Sequence, residues 1–170
     1  PIDTALSWTT EAINPGQRRL AFEELLAHRL CMRRFRNDSK KQSAPQLQAD
    51  DKLISRYLQN LPFTLTGGQQ KAYLQIAQDL ASVCPMLRLL QGDVGSGKTV
   101  VAALSALHAI GSGYQATLMA PTEILAEQHL LNFRNWFAPL GISVGWLSGK
   151  SKGSERRQIL DSLAEGSCQL

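Results

Sequence analysis

From residue 61 onward, the apolar residues of this chain follow two patterns that take turns. Short continuous runs are one: Met86, Leu87, Leu89 and Leu90 after Pro85, then Ala116-Thr117-Leu118-Met119-Ala120, then Ile142-Ser143-Val144-Gly145-Trp146-Leu147. Runs of this kind predict strands buried on both faces, as in a parallel sheet. Between them, apolar residues return every three or four positions, the helical repeat. One such helix carries Val100, Val101, Ala103, Leu104, Leu107 and Ile110 until Gly111 and Gly113 stop it. The next opens at Pro121-Thr122 and carries Ile124, Leu125, His129, Leu130 and Phe133. A last one begins at Ser154, carries Ile159, Leu160 and Leu163, and ends at Gly166, and a further strand starts at Cys168-Gln169-Leu170. Strands alternating with helices predict an α/β fold with a parallel sheet and right-handed crossovers.

The first sixty residues read differently. Asn14 and Pro15 suit an N-cap and first helical position, opening a long helix to about Phe35 with Leu25, Leu26, Met32 and Phe35 on its apolar side. Asn37 to Pro45 is a polar linker, and a shorter helix follows with Leu53, Ile54, Tyr57, Leu58 and Leu61. Residues 1–13 have weak periodicity and read as a ragged, truncated end.

Between the first apolar run and its helix lies Gly92-Asp93-Val94-Gly95-Ser96-Gly97-Lys98-Thr99, which fits G-x-x-x-x-G-K-[ST]. Glycines at these positions let successive amides point inward at phosphate oxygens, and the following helix adds the positive end of its dipole. Lys98 then reaches the outer phosphates and the Thr99 hydroxyl ligates Mg²⁺. The spacing predicts an ATP or GTP site. Just upstream, Thr66-Gly67-Gly68-Gln69 satisfies T-x-x-Q, so Gln69 is either the N3 partner of a capping box on a helix running to about Ala81, or a reader of adenine through its amide, or both.

Charge changes the picture in one place. The formal net charge is +4, and residues 1–60 carry 10 Lys/Arg against 7 Asp/Glu, whereas residues 61–170 carry 8 against 7. Arg18, Arg19, Arg29, Arg33, Arg34, Arg36, Lys40 and Lys41 crowd the first helix and its exit. Such a stripe either neutralises nucleic-acid phosphates or is a solvated helix face. The three cysteines, Cys31, Cys84 and Cys168, are far apart, which suits reduced thiols of a cytoplasmic protein better than a disulfide framework or zinc site. No apolar stretch approaches the ~20 residues of a membrane span.

A P-loop NTPase needs an acidic residue at the end of another strand to hold Mg²⁺. No apolar strand within residues 100–170 ends in Asp-Glu, and Asp93, Glu123 and Glu127 lie on loops or helix starts. The expectation is a piece of a longer ATPase. A guanine-reading Asn-Lys-x-Asp element is missing, which disfavours a GTPase, and an intact Lys98 and Thr99 disfavour a decayed, purely structural site.

The glycine loop at 92–99, Ala-Pro-Thr-Glu-Ile-Leu-Ala-Glu-Gln-His at 120–129, Asn-Phe-Arg-Asn-Trp-Phe at 132–137 and Leu-Pro-Phe-Thr-Leu-Thr-Gly-Gly-Gln at 61–69 resemble the RecG family of bacterial ATP-dependent DNA helicases. The transcription-repair coupling translocase shares the glycine loop. Leu147-Ser148-Gly149-Lys150-Ser151-Lys152-Gly153, with Arg18-Arg19-Leu20 and Glu23-Glu24-Leu25-Leu26-Ala27-His28, favours RecG.

The resemblance implies a superfamily-two motor remodelling branched DNA such as stalled forks and Holliday junctions. It implies residues 1–60 as a helical connection between a wedge and a motor domain, and residues 61–170 as the start of a first RecA-like domain, a partial P-loop parallel sheet flanked by helices. It further implies ATP and Mg²⁺ as cofactors, with Gln69, Gly92, Asp93, Val94, Gly95, Ser96, Gly97, Lys98 and Thr99 at the nucleotide. Pro121, Thr122, Glu123 and Lys150 would face the DNA backbone, although Thr122 as a plain helix cap remains the alternative. The protein would act as a monomer away from membranes, and arginines completing the site would come from a second motor domain.

Overall fold

In the computed structural model, the backbone is described for residues 14–39, 41–149, 151 and 153–170, so the expectations for residues 1–13 and for Lys150 lie outside the described residues. The chain divides into two compact units, one reaching Ser43 and one spanning Ala44–Leu170. The first contains α1 (Pro15–Ser39). Asn14 starts it as expected: its Oδ1 accepts from the Gly16 amide at 2.8 Å, and its own amide donates to Gln17 Oε1 at 3.1 Å. The helix runs one turn past Phe35, and Leu25, Leu26, Met32 and Phe35, the residues of its expected apolar side, are all exposed.

The second unit contains α2 (Asp51–Asn60), α3 (Gly67–Leu80), α4 (Lys98–Gly111), α5 (Glu123–Phe137), a 3-10 turn (Ala138–Leu140) and α6 (Gly153–Ala164). Asp50 caps α2 by accepting from the Lys52 and Leu53 amides at 2.9 and 3.2 Å. That start aims Ile54 and Tyr57 inward. They join Val100, Ala103, Leu104, Leu107, Phe133, Phe137 and Ile142 in one core. Burying a side chain such as Leu104 or Phe137 contributes about 1.5–3 kcal/mol. Aromatic edges lock the cluster: Tyr57 meets Trp136 at 6.2 Å and Phe137 at 6.0 Å between ring centroids.

Residues 44–50 form an extended strap that belongs to this core. Leu47 joins two helices at once: its amide donates to Leu80 O at 3.0 Å, and its carbonyl lies 3.2 Å from His108 Nε2. Ala44 donates to Val83 O at 2.8 Å and Ser112 Oγ to Gln48 O at 2.7 Å. At Gly111 an added Cβ would sit 2.9 Å from Asp50 Cβ, so only glycine lets the strap pass this close. The division by contacts falls after Ser43, so this strap belongs to the second unit.

The expected parallel sheet is not confirmed by assigned strands, although fragments of its pairing are present. Among the described residues no β-strand forms, and the predicted strand segments are extended without a continuous ladder. Isolated ladder bonds are present. The Leu170 amide donates to Ser143 O at 3.2 Å while the Gly145 amide donates to Leu170 O at 2.7 Å, the slanted pair of a parallel bridge. Ala116 donates to Gln169 O at 2.9 Å on the other side. Among the described residues no such bond reaches 86–91, where Leu87 and Leu89 are exposed. A strand exists only by pairing, so single ladder bonds and an unpaired apolar segment such as 86–91 fall short of a continuous sheet.

Candidate functional site

The glycine loop leads into α4, as the spacing predicted, while residues 86–91 before it carry no assigned strand. Gly95 and Gly97 have φ of 81° and 79°, the left-handed region that side chains with a Cβ rarely enter. Gly97 is also the N-cap of α4, and no side chain caps that helix end. The Val100 amide donates to Gly97 O at 3.0 Å, and among the described residues no side chain takes the Lys98 and Thr99 amides, which lie beside the positive end of the helix dipole.

Lys98 folds back over this opening. Its Nζ donates to Gly92 O at 2.8 Å and Asp93 O at 2.6 Å, and approaches Ser96 Oγ at 3.5 Å. It uses the Asp93 backbone rather than its carboxylate, and Lys98 has no ion-pair partner among the described residues. The ammonium charge is thus positioned but not cancelled. Ser96 shapes the loop by donating its amide to Asp93 O at 3.2 Å. Thr99 stands half-buried in the first turn of α4, next to Lys98, and Val94 is fully exposed at the tip.

Gln69 reaches this loop from α3. Its Oε1 accepts from the Thr66 amide at 2.9 Å while its own amide donates to Thr66 Oγ1 at 3.3 Å, the reciprocal capping box that T-x-x-Q predicted. Its Nε2 donates to Ser96 O at 2.9 Å. A Cβ on Gly97 would collide with that Nε2, so the second left-handed glycine also makes room for the glutamine. Gln69, Gly92, Asp93, Ser96, Gly97 and Lys98 are joined by direct contacts.

Pro121, Thr122 and Glu123 form a separate place. Thr122 is the N-cap of α5 and accepts from the Leu125 amide at 3.4 Å, and all three residues are exposed. The hydrogen bond that Thr122 accepts stays within its own turn. No group of three or more potential metal-ligating side chains occurs there or elsewhere among the described residues.

Two features escaped the sequence. The Gln69–Ser96 bond spans 27 positions, and the Tyr73 hydroxyl meets His108 Nδ1 at 3.4 Å across 35. The second ties α3 to α4 below the loop. Burial and the Asp51 carboxylate both raise the Tyr73 pKa, keeping its hydroxyl protonated. No local pattern marks such pairs.

A DEAD/DEAH box helicase model matches residues 66–170, the segment that contains Gln69, the glycine loop and the Thr122 turn. The chain belongs to that family. It is 55% identical over 157 residues to the ATP-dependent DNA helicase RecG of Escherichia coli K12, covering 92% of this chain and 23% of that protein. It is 51% identical over 170 residues to RecG of Haemophilus influenzae, covering all of this chain and 24% of that one. The RecG of Bacillus subtilis is 42% identical over 163 residues. Among solved structures, one described as RecG bound to a three-way DNA junction matches with a TM-score of 0.77 and 40% identity, over 86% of this chain and 20% of that one. The resemblance to RecG read from the motifs thus extends along almost the whole chain, and the fold is RecA-like. This DEAD/DEAH box chain spans about a quarter of the length of the relatives it matches.

Proposed function

We propose that this chain is the nucleotide-binding part of an ATP-dependent DNA helicase that acts on branched DNA. The observation carrying this reading is Lys98, held by the Gly92 and Asp93 carbonyls in front of a helix start that no side chain caps. A bound phosphate would accept from the amides at the start of α4 and from the ammonium group together, with Lys98 exchanging loop carbonyls for phosphate oxygens. Thr99 would supply an oxygen to Mg²⁺, and the metal's chemistry is to neutralise charge on the outer phosphates. Gln69 keeps one Nε2 hydrogen beyond its bond to Ser96, consistent with adenine recognition as a second role.

Residues 61–170 would then be the opening of a RecA-like motor domain whose sheet completes around the extended segments, and residues 1–60 the helical approach to it. Pro121, Thr122, Glu123 and Lys150 would meet the DNA backbone. The exposed N-terminal turn of α5 supports that assignment, since helix amides bind phosphate without reading bases. The 40% identical structure with a junction supports branched DNA as the substrate. Cytoplasmic action as a monomer completes the proposal, and no helix among the described residues is long and apolar enough to cross a membrane.

Titration of a fluorescent ATP analogue with Mg²⁺ tests the site. Saturable binding, competed by ATP better than GTP and lost in Lys98→Ala with the helical spectrum retained, is expected. Equal binding by Lys98→Ala would sink the reading.

A further inference from the structure

The arginines of α1 are sorted by side. With 3.6 residues per turn, Arg18, Arg29, Arg33 and Arg36 fall within about 60° of arc. The acidic residues Glu23, Glu24 and Asp38 lie at least ~80° round from Arg33, the nearest of the four. On the acidic side, Arg19 pairs with Glu23 at 2.7 Å and Arg34 with Asp38 at 3.9 Å. No carboxylate among the described residues pairs with Arg29, Arg33 or Arg36, and all three are exposed.

Arg29, Arg33 and Arg36 stand at i, i+4 and i+7, a run of ~10.5 Å along the axis. Like charges at these spacings repel, so the cluster weakens its own helix unless an anion lies against it. The anion must be extended and multiply charged to answer three forks in a row. Duplex DNA presents one charge per ~1.7 Å of axis, and guanidinium groups match phosphate oxygens two at a time. Toward the N-terminus the same arc carries Arg18 and the exposed Phe22, with exposed Leu25 at its edge, so the charge is densest in the C-terminal half. The charge of the C-terminal half selects the polyanion.

We propose that the Arg29–Arg33–Arg36 face of α1 docks the phosphate backbone of duplex DNA, a contact separate from the Thr122 turn. It rests on the reading that this protein acts on DNA. The test measures fluorescence anisotropy of a labelled duplex against the whole chain, from low to high KCl. Compared with it are Arg29→Gln/Arg33→Gln/Arg36→Gln and a control, Arg19→Gln/Arg34→Gln, which removes charge from the paired side. Glutamine keeps helix propensity, and circular dichroism confirms it.

The triple variant is expected to bind at least ~10-fold more weakly at low salt and to flatten the log–log salt slope by about 2–3, at ~0.9 per lost phosphate contact. The control should move the slope by less than about one. Unchanged affinity and slope in the triple variant, or equal weakening in the control, overturns the proposal while leaving the DNA reading standing. Absence of salt-dependent binding by the unmodified chain overturns both. Self-association through Phe22 and Leu25 that covers the arginines, seen by sedimentation and undone by Leu25→Gln, also overturns it.

Discussion

The side-chain amide of Gln69 connects two loops: its oxygen takes the Thr66 amide at 2.9 Å, and its nitrogen gives to the Ser96 carbonyl at 2.9 Å. One residue thus both starts α3 and holds the phosphate loop. Gln69→Ala removes both bonds. Thermal unfolding should show a loss of about 1 kcal/mol for the broken cap, and ATP-analogue affinity should drop severalfold. Gln69→Glu keeps an acceptor for Thr66 but no donor for Ser96, so it should retain most of the stability and still bind nucleotide weakly. A variant with full stability and full affinity would show the Ser96 contact to be incidental.

Gly97→Ala forces a Cβ into a backbone at φ 79° and against Gln69 Nε2. A loss of about 1–2 kcal/mol in denaturant midpoint measurements is expected from the dihedral alone. Nucleotide binding should fall further than in Gln69→Ala, because loop and glutamine are displaced together.

Tyr57 is completely buried, and among the described residues its hydroxyl has no hydrogen-bond partner. Tyr57→Phe deletes that stranded group and keeps the ring contacts with Trp136 and Phe137, so it should stabilise the fold by about 1 kcal/mol. Unfolding by urea, compared between the two proteins, measures it.

Burial raises the pKa of Tyr57 well above the ordinary tyrosine value of 10.0. The neutral phenol is therefore favoured in the folded state. Its contribution is fully present below pH ~10 and is lost as pH climbs toward the raised folded value, because the unfolded chain ionises first. Stability should fall steeply above pH ~10, and Tyr57→Phe should flatten that fall. Equal alkaline slopes would contradict the burial argument.

Phe137 lies at the centre of the aromatic cluster with no exposed surface. Phe137→Ala should cost about 3–5 kcal/mol by calorimetry, enough to unfold much of a domain of ordinary stability. Leu89→Ala, at a position 87% exposed, should cost less than about 0.5 kcal/mol.

Each α-helix of the described chain was legible from spacing, and several from their caps, because helix formation is local: Asn14, Thr66, Gly97 and Thr122 each lie within four residues of the amides they release or satisfy. The glycine loop was legible for the same reason. The apolar runs named strands that the structure leaves as extended segments with single ladder bonds. A run such as Met86–Leu90 records a wish to be buried, but pairing needs residues from elsewhere in the chain.

By itself, then, the sequence determined where helices begin, where the glycine loop lies, and that positive charge gathers on α1, since each depends on residues within a turn or two of one another. Only the tertiary structure decided that Gln69 would clasp Ser96, that Leu47 would bridge α3 and α4, and that Tyr57 would lose its hydroxyl's partner. Those outcomes depend on how distant segments close around one core, and the entropy of that closure is offset by packing that no local pattern records.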